Sequence, residues 1–186
     1  MVTVKSVPER DLSTVRELVK IGLALSSEKR LDRILELIVK EACRFTCADG
    51  GALYIRDMDK DVLDFAIIRN ASLEIRMGGS GAEIGWPSVP LKNEDKSGNL
   101  KNVSAYCANT GKSISIKDVY EAEGYDFSGA KAFDAKTGFR SKSMLVIPMR
   151  DHEDTVIGVL QLINAQDTTT GEVVEFPPEE IDIIES

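Results

Sequence analysis

Two apolar runs joined by a charged turn, near the C-terminal end of the 186-residue chain, place the strongest constraint on the fold. Met144–Met149 is apolar throughout, which is typical of a strand covered on both faces. After the turn Arg150–Asp154, the chain resumes an apolar pattern over Thr155–Ile163. The pair predicts two adjacent strands at the centre of the fold.

One polar residue interrupts the second run. Because strand side chains alternate with period two, Gln161 shares a face with Val159 and Ile163. A polar side chain in an apolar row is costly to bury unless a hydrogen bond compensates for the lost water. Gln161 is therefore a candidate ligand contact.

The remaining patterns predict helices at both ends of the chain with strands between them. Apolar residues recur at helical spacing over residues 12–23 and 31–45, and Pro177–Ile184 fits a last helix that begins near a proline. The segments Gly51–Arg56 and Val62–Arg69 alternate as the two strands of a hairpin. This order predicts an α+β sandwich with the terminal helices on one face of an antiparallel sheet.

The connecting segments are less regular. Residues 103–107 predict a short helix that ends at Gly111, and Ser113–Ile116 predicts a brief strand. Asp118 is placed to cap a further short helix, because Glu121 follows it at capping-box spacing. We expect residues 78–102 to form a surface excursion or a lid, and residues 124–136 to be irregular.

Composition limits the classes of partner. The chain is 42% hydrophobic and 29% charged with a net charge of −8, so a basic surface for nucleic acid is not expected. No apolar run approaches the roughly 20 residues that span a membrane. Three cysteines without a framework pattern indicate a reducing, cytoplasmic setting, and we interpret them as small buried hydrophobes. We expect no metal site, because a structural zinc needs about four ligands.

The segment from Asp134 to Asn164 resembles the GAF domain, a sensory module of cyclic-nucleotide phosphodiesterases, adenylyl cyclases and bacterial signalling proteins. The resemblance lies in Asp134-x-x-Thr137-Gly138-Phe139-Arg140-Ser141, in Ser143–Pro148 and in Ile157–Asn164. It implies a GAF/PAS-like antiparallel sheet of five to six strands in the order 2-1-5-4-3. Terminal helices would cover one face, and loops and short helices the other.

The resemblance also implies a ligand pocket between the sheet and the segment Asp118–Ser141. Its expected ligand-binding residues are Asp118, Asp134, Thr137, Ser141 and Gln161. A structural interpretation stands beside each role, since Asp134 and Thr137 could satisfy a turn and Asp118 could cap a helix. A cyclic nucleotide or another small molecule is the expected ligand.

The chain departs from the cyclic-nucleotide-binding members of this family. Asn164 is followed by Ala165 where those members usually carry lysine, and Ala52 stands where a serine often faces the ligand. Phe176 is kept, but the acidic pair that follows it in those members is reduced to Glu180. These departures favour a bacterial relative with its own ligand, or with none.

Three functions compete. The first is a non-catalytic sensor that binds a small molecule and regulates an attached effector domain of the histidine kinase, phosphodiesterase or cyclase type. The second is a dimerisation or interaction module without a ligand. The third is an enzyme that reduces free methionine sulfoxide through cysteines, which the spacing of Cys43, Cys47 and Cys107 does not favour.

The domain organisation follows from the same patterns. We expect residues 1–10 to be a tail and residues 11–186 to form one domain of a longer signalling protein. The terminal helices predict a homodimer, because such helices pair in signalling chains and two-fold contacts are the commonest symmetry.

Overall fold

The computed structural model describes residues 19–185 and contains one antiparallel sheet flanked by helices. The predicted tail and the first part of the first predicted helix lie outside the described residues. Residues 19–27 are helical (α1). The other helices are α2 (Leu31–Phe45), α3 (Val103–Thr110), α4 (Ser128–Thr137) and α5 (Pro178–Glu185).

Six strands form the main path of the sheet, in the order β3-β2-β1-β7-β6-β5. The strands are β1 (Ala48–Asp57), β2 (Val62–Asn70), β3 (Ile75–Gly78), β4 (Val89–Pro90), β5 (Ile114–Ile116), β6 (Met144–Arg150), β7 (Val156–Gln166) and β8 (Val173–Val174). Without β3 the path is the predicted order 2-1-5-4-3, which is confirmed. The sequence did not predict the short strands β4 and β8, which pair with β2 and β7.

The two faces of the sheet carry separate cores. We call the side covered by α2 and α5 the helix face; its core contains Val39, Leu53, Leu160 and Leu162. We call the opposite side the loop face, which is covered by α3, α4 and the connecting loops. Successive residues of β1 alternate between the two faces, so Leu53 belongs to the core of the helix face while Ala52 and Tyr54 belong to the core of the loop face.

Two of the predicted loop elements need correction. The segment after Asp118 is a turn and not a helix. The stretch expected to be irregular contains the ten-residue helix α4, which begins after Phe127 without a side-chain cap. Its weak apolar periodicity hid it, since no continuous stripe faces the core. The helix ends at Gly138, whose φ of +74° is a conformation that favours glycine.

The short helix α3 is confirmed, together with its end at Gly111, where φ is +65°. Asn102 caps its N-terminus by accepting hydrogen bonds from the backbone N–H groups of Ser104 and Ala105. This cap places Ser104 at the first turn of α3, above the middle of β7. The position matters for the site described next.

Candidate functional site

The five predicted site residues fall into two groups on the loop face. Asp118, Asp134 and Ser141 belong to one hydrogen-bonded network, with Thr137 next to it at the end of α4. Gln161 lies apart, paired in the sheet with Val146 of β6. Asn164, which bonds to the backbone on both sides of Ser141, follows Gln161 by three residues of β7, which at about 3.3 Å per residue is a separation of roughly 10 Å.

Asp134 is the centre of the first group. Its side chain is only 3% exposed. The carboxylate accepts hydrogen bonds from the backbone N–H of Ser141 (2.8 Å), from the Ser141 hydroxyl (2.9 Å) and from the Tyr120 hydroxyl (3.0 Å). These bonds join α4 to the segment that leads into β6. The carboxylate is thus fully engaged by protein groups.

Asp118 extends the same network through Arg140. Its carboxylate accepts the backbone N–H of Tyr120 at 2.8 Å and the Arg140 guanidinium at 3.2 Å. The guanidinium also lies 3.6 Å from the centre of the Tyr120 ring, in cation–π geometry. Burial acts to raise the pKa of Asp118, but the Tyr120 N–H and Arg140 outweigh it, so the pKa is lowered.

Thr137 and Asn164 complete the frame around α4. The Thr137 hydroxyl donates to the carbonyl of Phe133 at 2.8 Å, as is common for a hydroxyl in the last turn of a helix. Asn164 accepts the Lys142 backbone N–H at 2.7 Å and donates to the Arg140 carbonyl at 2.8 Å. Asn164 was outside the predicted site set. Its place in the motif Ile157–Asn164 was the sequence signal from which it could have been added to the predicted site.

Gln161 has a different environment from the other four residues. Its Oε1 accepts hydrogen bonds from the Ser104 hydroxyl at 3.0 Å and from the Tyr54 hydroxyl at 3.4 Å. Within residues 19–185, its Nε2 has no hydrogen-bond partner, and the side chain is partly exposed. The amide therefore keeps one donor group for a ligand or for water. Burial raises the pKa of Tyr54 to about 12, so its hydroxyl stays protonated as a donor.

A row of aromatic rings connects the two groups. The contacts run from Tyr54 to Phe65, Trp86, Phe133 and Phe139, with ring centres 4.4, 5.2, 5.8 and 6.1 Å apart in turn. The row crosses from the sheet to α4 and fills part of the space where the sequence predicted a pocket. Sequence reasoning missed it, because its members come from distant segments. Trp86, an aromatic residue in a loop rich in glycine, was the available signal.

The cysteines lie in different parts of the fold. Cys43 is buried in the core of the helix face and Cys107 in the core of the loop face, so the sheet separates them. Burial raises the pKa of the Cys43 thiol to about 12.

In the part of the chain that the structure describes, no three His, Cys, Asp or Glu side chains form a group that could hold a metal ion. Nor is any described helix long and apolar enough to cross a membrane.

The family model of the GAF domain matches residues 30–186, and the chain belongs to this family. The predicted resemblance is confirmed. The chain is also 34% identical over 141 residues to a probable 3',5'-cyclic phosphodiesterase pde-5 of Caenorhabditis elegans; this covers 74% of the chain and 17% of that relative. The chain spans less than a fifth of the length of the curated relatives it matches. This relative and a dual 3',5'-cyclic-AMP and -GMP phosphodiesterase 11 of Drosophila melanogaster, 34% identical over 62 residues, are animal proteins, so they give no support to the expected bacterial origin.

Solved structures with the same fold come from proteins of different kinds. A GAF domain of an Acinetobacter phosphoenolpyruvate-protein phosphotransferase superposes with a TM-score of 0.62 at 14% identity, covering 93% of this chain and 86% of that one. A free methionine-R-sulfoxide reductase from Neisseria meningitidis, in complex with its substrate, superposes with a TM-score of 0.59 at 14% identity, covering 100% and 93%. GAF domains are generally regulatory modules, yet the second structure belongs to an enzyme. At these identities the likeness concerns the fold alone.

Proposed function

We propose that the chain is a non-catalytic regulatory GAF domain that binds a small molecule on the loop face and controls an attached effector domain. The observation that carries the proposal is the half-satisfied amide of Gln161, held by two hydroxyl groups at the end of an aromatic row. Small-molecule sites combine apolar walls with a few placed polar groups. The loop face offers both.

In this proposal the predicted site residues divide into two roles. Gln161 contacts the ligand: its Nε2 donates to a ligand acceptor, while Ser104 and Tyr54 fix the orientation of the amide. Asp118, Asp134, Thr137 and Ser141, whose hydrogen-bonding groups are bound to protein groups, hold α4 in place. The structure thus accounts for those four side chains by contacts within the protein.

Several parts of the proposal draw on the relatives. The match to a probable cyclic phosphodiesterase favours an effector of that type and keeps a cyclic nucleotide among the candidate ligands. A histidine kinase or a cyclase remains a possible effector for the same family fold. We place the protein in the cytoplasm, where such ligands occur. Regulation requires that the ligand prefer one of two arrangements of the helices, since equal affinity for both shifts nothing.

Catalysis is not part of the proposal. A cysteine pair that cycles through a disulfide needs Cα atoms within about 7 Å, and Cys43 and Cys107 lie in cores on opposite faces of the sheet. Cys43 is also a poor nucleophile near neutral pH, because its pKa of about 12 leaves almost no thiolate. These cysteines behave as buried apolar side chains.

A ligand screen on the purified protein tests the proposal. A compound at 100 times its dissociation constant stabilises the fold by about 2.7 kcal/mol, which for this length is a rise in melting temperature of about 5–10 °C. We expect a hit among cyclic nucleotides and related metabolites. Gln161→Leu should abolish that shift, and Gln166→Leu, at the end of the same strand, should keep it. A hit that survives in Gln161→Leu would contradict the assigned contact; a screen without hits would contradict ligand binding.

A second candidate function, a dimerisation module, is favoured by a groove on the helix face. The groove, of about 860 Å³, lies between the three helices on this face and is lined by Ile21, Leu25, Ile38, Phe45, Leu160 and Ile184. Val19 and Leu23 of α1 beside it are 55% and 67% exposed. We propose that α1 and α5 pair with those of a second copy. Sedimentation should show a dimer for the wild type and a monomer for Leu23→Glu; a monomeric wild type at high micromolar concentration would exclude this function.

A further inference from the structure

Trp86 occupies an unusual place for the only tryptophan of the chain. Its indole meets Phe65 of β2 edge-on at 5.2 Å and Phe133 of α4 at 5.8 Å. Yet the residue is 40% exposed. No described residue accepts a hydrogen bond from its indole N–H, whereas a tryptophan built into a core usually has such a partner. The indole thus has two ring contacts and no hydrogen bond to a described residue.

The backbone hydrogen bonds of the loop that carries Trp86 lie at its two ends. On one side, Ala82 accepts a backbone hydrogen bond from Gly78 at 2.7 Å; on the other, Val89 pairs with Leu63 of β2. Between these anchors, the one hydrogen bond that any described residue makes to residues 83–88 joins the Ser88 hydroxyl to Asp64. Gly85 has open space around it. Ile84 packs against the core of the loop face, so an outward movement of residues 83–88 has to release this contact, the Ser88 bond and the two ring contacts.

We propose that Trp86 is a built-in plug that occupies the slot between Phe65 and Phe133, and that a planar aromatic ligand takes this slot when residues 83–88 swing outward. The inference rests on the proposed function for the location of the ligand site. The slot already holds a flat two-ring heterocycle, which defines the chemical class of the ligand. Through Phe65 and Tyr54, the same row of rings connects the slot to the amide of Gln161.

The plug regulates the site by competition. A ligand reaches only the fraction of molecules whose slot is open, so its apparent affinity falls by that fraction. Removing the indole should remove this competition. An exposed aromatic residue that merely lined the site would act in the opposite direction, because its loss would remove a ligand contact. The two roles thus predict opposite changes in affinity.

The first experiment uses indole as the probe and Trp86→Ala as the protein. This variant has no tryptophan, so a blue shift of the indole emission reports binding directly. We expect indole to bind Trp86→Ala at least tenfold more tightly than the wild type, measured for both by the rise in melting temperature. Tyr125→Ala is the matched control, because Tyr125 also makes two edge contacts, with Tyr106 and Phe127. It should bind indole no better than the wild type.

Three outcomes would overturn the proposal. They are equal binding of indole to all three proteins, no binding to a folded Trp86→Ala, and loss of the fold in Trp86→Ala, since a plug is not needed for the core. A further measurement uses the wild type: adenosine that enters the slot should increase quenching of Trp86 by acrylamide, and bound adenosine without this increase would contradict displacement.

The plug and the proposed function can fail separately. If the screen yields an aromatic ligand, Trp86→Ala should bind it about tenfold more tightly. Weaker binding would refute the plug and leave the regulatory site standing. If the screen yields no ligand, the regulatory proposal fails, while the indole experiment still decides whether the slot exists.

Discussion

The two faces of the sheet differ in the kinds of side chain that pack on them. The core of the helix face contains aliphatic side chains such as Leu53, Leu145 and Leu162, which pack under α2 and α5. The loop face combines an aromatic row with a buried polar network around Asp134 and a partly satisfied amide at Gln161. Both faces share the same strands, so the difference lies in the side chains that alternate between the faces and in the segments that cover them.

This difference separates stability from recognition. Aliphatic packing is non-directional, and it supports the fold without specifying a ligand. Hydrogen bonds and ring contacts are directional, so a face built from them can favour one ligand over another. We infer that a change in the core of the helix face should alter stability alone. Positions on the loop face should fall into two classes: those that hold α4 in place and those that contact a ligand.

The largest expected effect comes from Leu162→Ala on the helix face. Leu162 is fully buried in β7, between Gly51 and Leu145 of the flanking strands. Truncation leaves a cavity and should lower the free energy of unfolding by about 4 kcal/mol in urea titration. Leu100→Ala, at a position that is 49% exposed, should cost less than about 0.5 kcal/mol. Similar losses of stability for the two variants would contradict the comparison, because the core of the helix face would then not stabilise the fold.

Asp134→Ala should have the next largest effect and tests the frame on the loop face. The change removes an acceptor shared by the Ser141 N–H, the Ser141 hydroxyl and Tyr120, and Ser141 is buried. Leaving these donors unpaired should cost about 3 kcal/mol. Asp126→Ala removes an exposed turn carboxylate that accepts only from Ser128, and should cost about 1 kcal/mol or less. An unchanged stability with lost ligand binding would instead make Asp134 a ligand contact.

The main elements of the fold could be predicted from sequence because they depend on local patterns. Alternation located β1, β2, β6 and β7, and helical spacing located α2. Helix α4 escaped, because its side chains face partly into the aromatic row and leave no regular stripe. The turn after Asp118 was mistaken for a helix, since a capping residue also serves in a turn.

The candidate site was predictable in its members but not in their arrangement. The family motif brought Asp118, Asp134 and Ser141 into one set, and the structure does join them. The motif could not show that their groups bond to one another, because Tyr120 and Arg140 complete the network from outside the predicted set. The position of the Trp86 ring depends on its contacts with residues 65 and 133, and no local sequence pattern encodes contacts between residues so far apart in the chain.

The smallest expected effect compares the two faces at alkaline pH. Burial raises the pKa of Cys43 on the helix face from 9.0 to about 12, and that of Tyr54 on the loop face from 10.0 to about 12. A raised pKa in the folded state means that the stabilisation is present below the unfolded-state value and is lost as pH rises through the folded one. The loss for Cys43 therefore begins near pH 9, and the loss for Tyr54 near pH 10.

At pH 10.5 these shifts should lower the free energy of unfolding by about 2 kcal/mol through Cys43 and about 1 kcal/mol through Tyr54, relative to pH 8. Urea titrations at several pH values measure both losses. Cys43→Ala should flatten the fall between pH 9 and 10.5, and Tyr54→Phe should reduce only the part above pH 10. Cys47→Ala, which removes a partly exposed thiol, serves as the control for Cys43. If Tyr54→Phe flattened the curve more than Cys43→Ala, the loop face would hold the more strongly desolvated group, contrary to the order that the two pKa shifts predict.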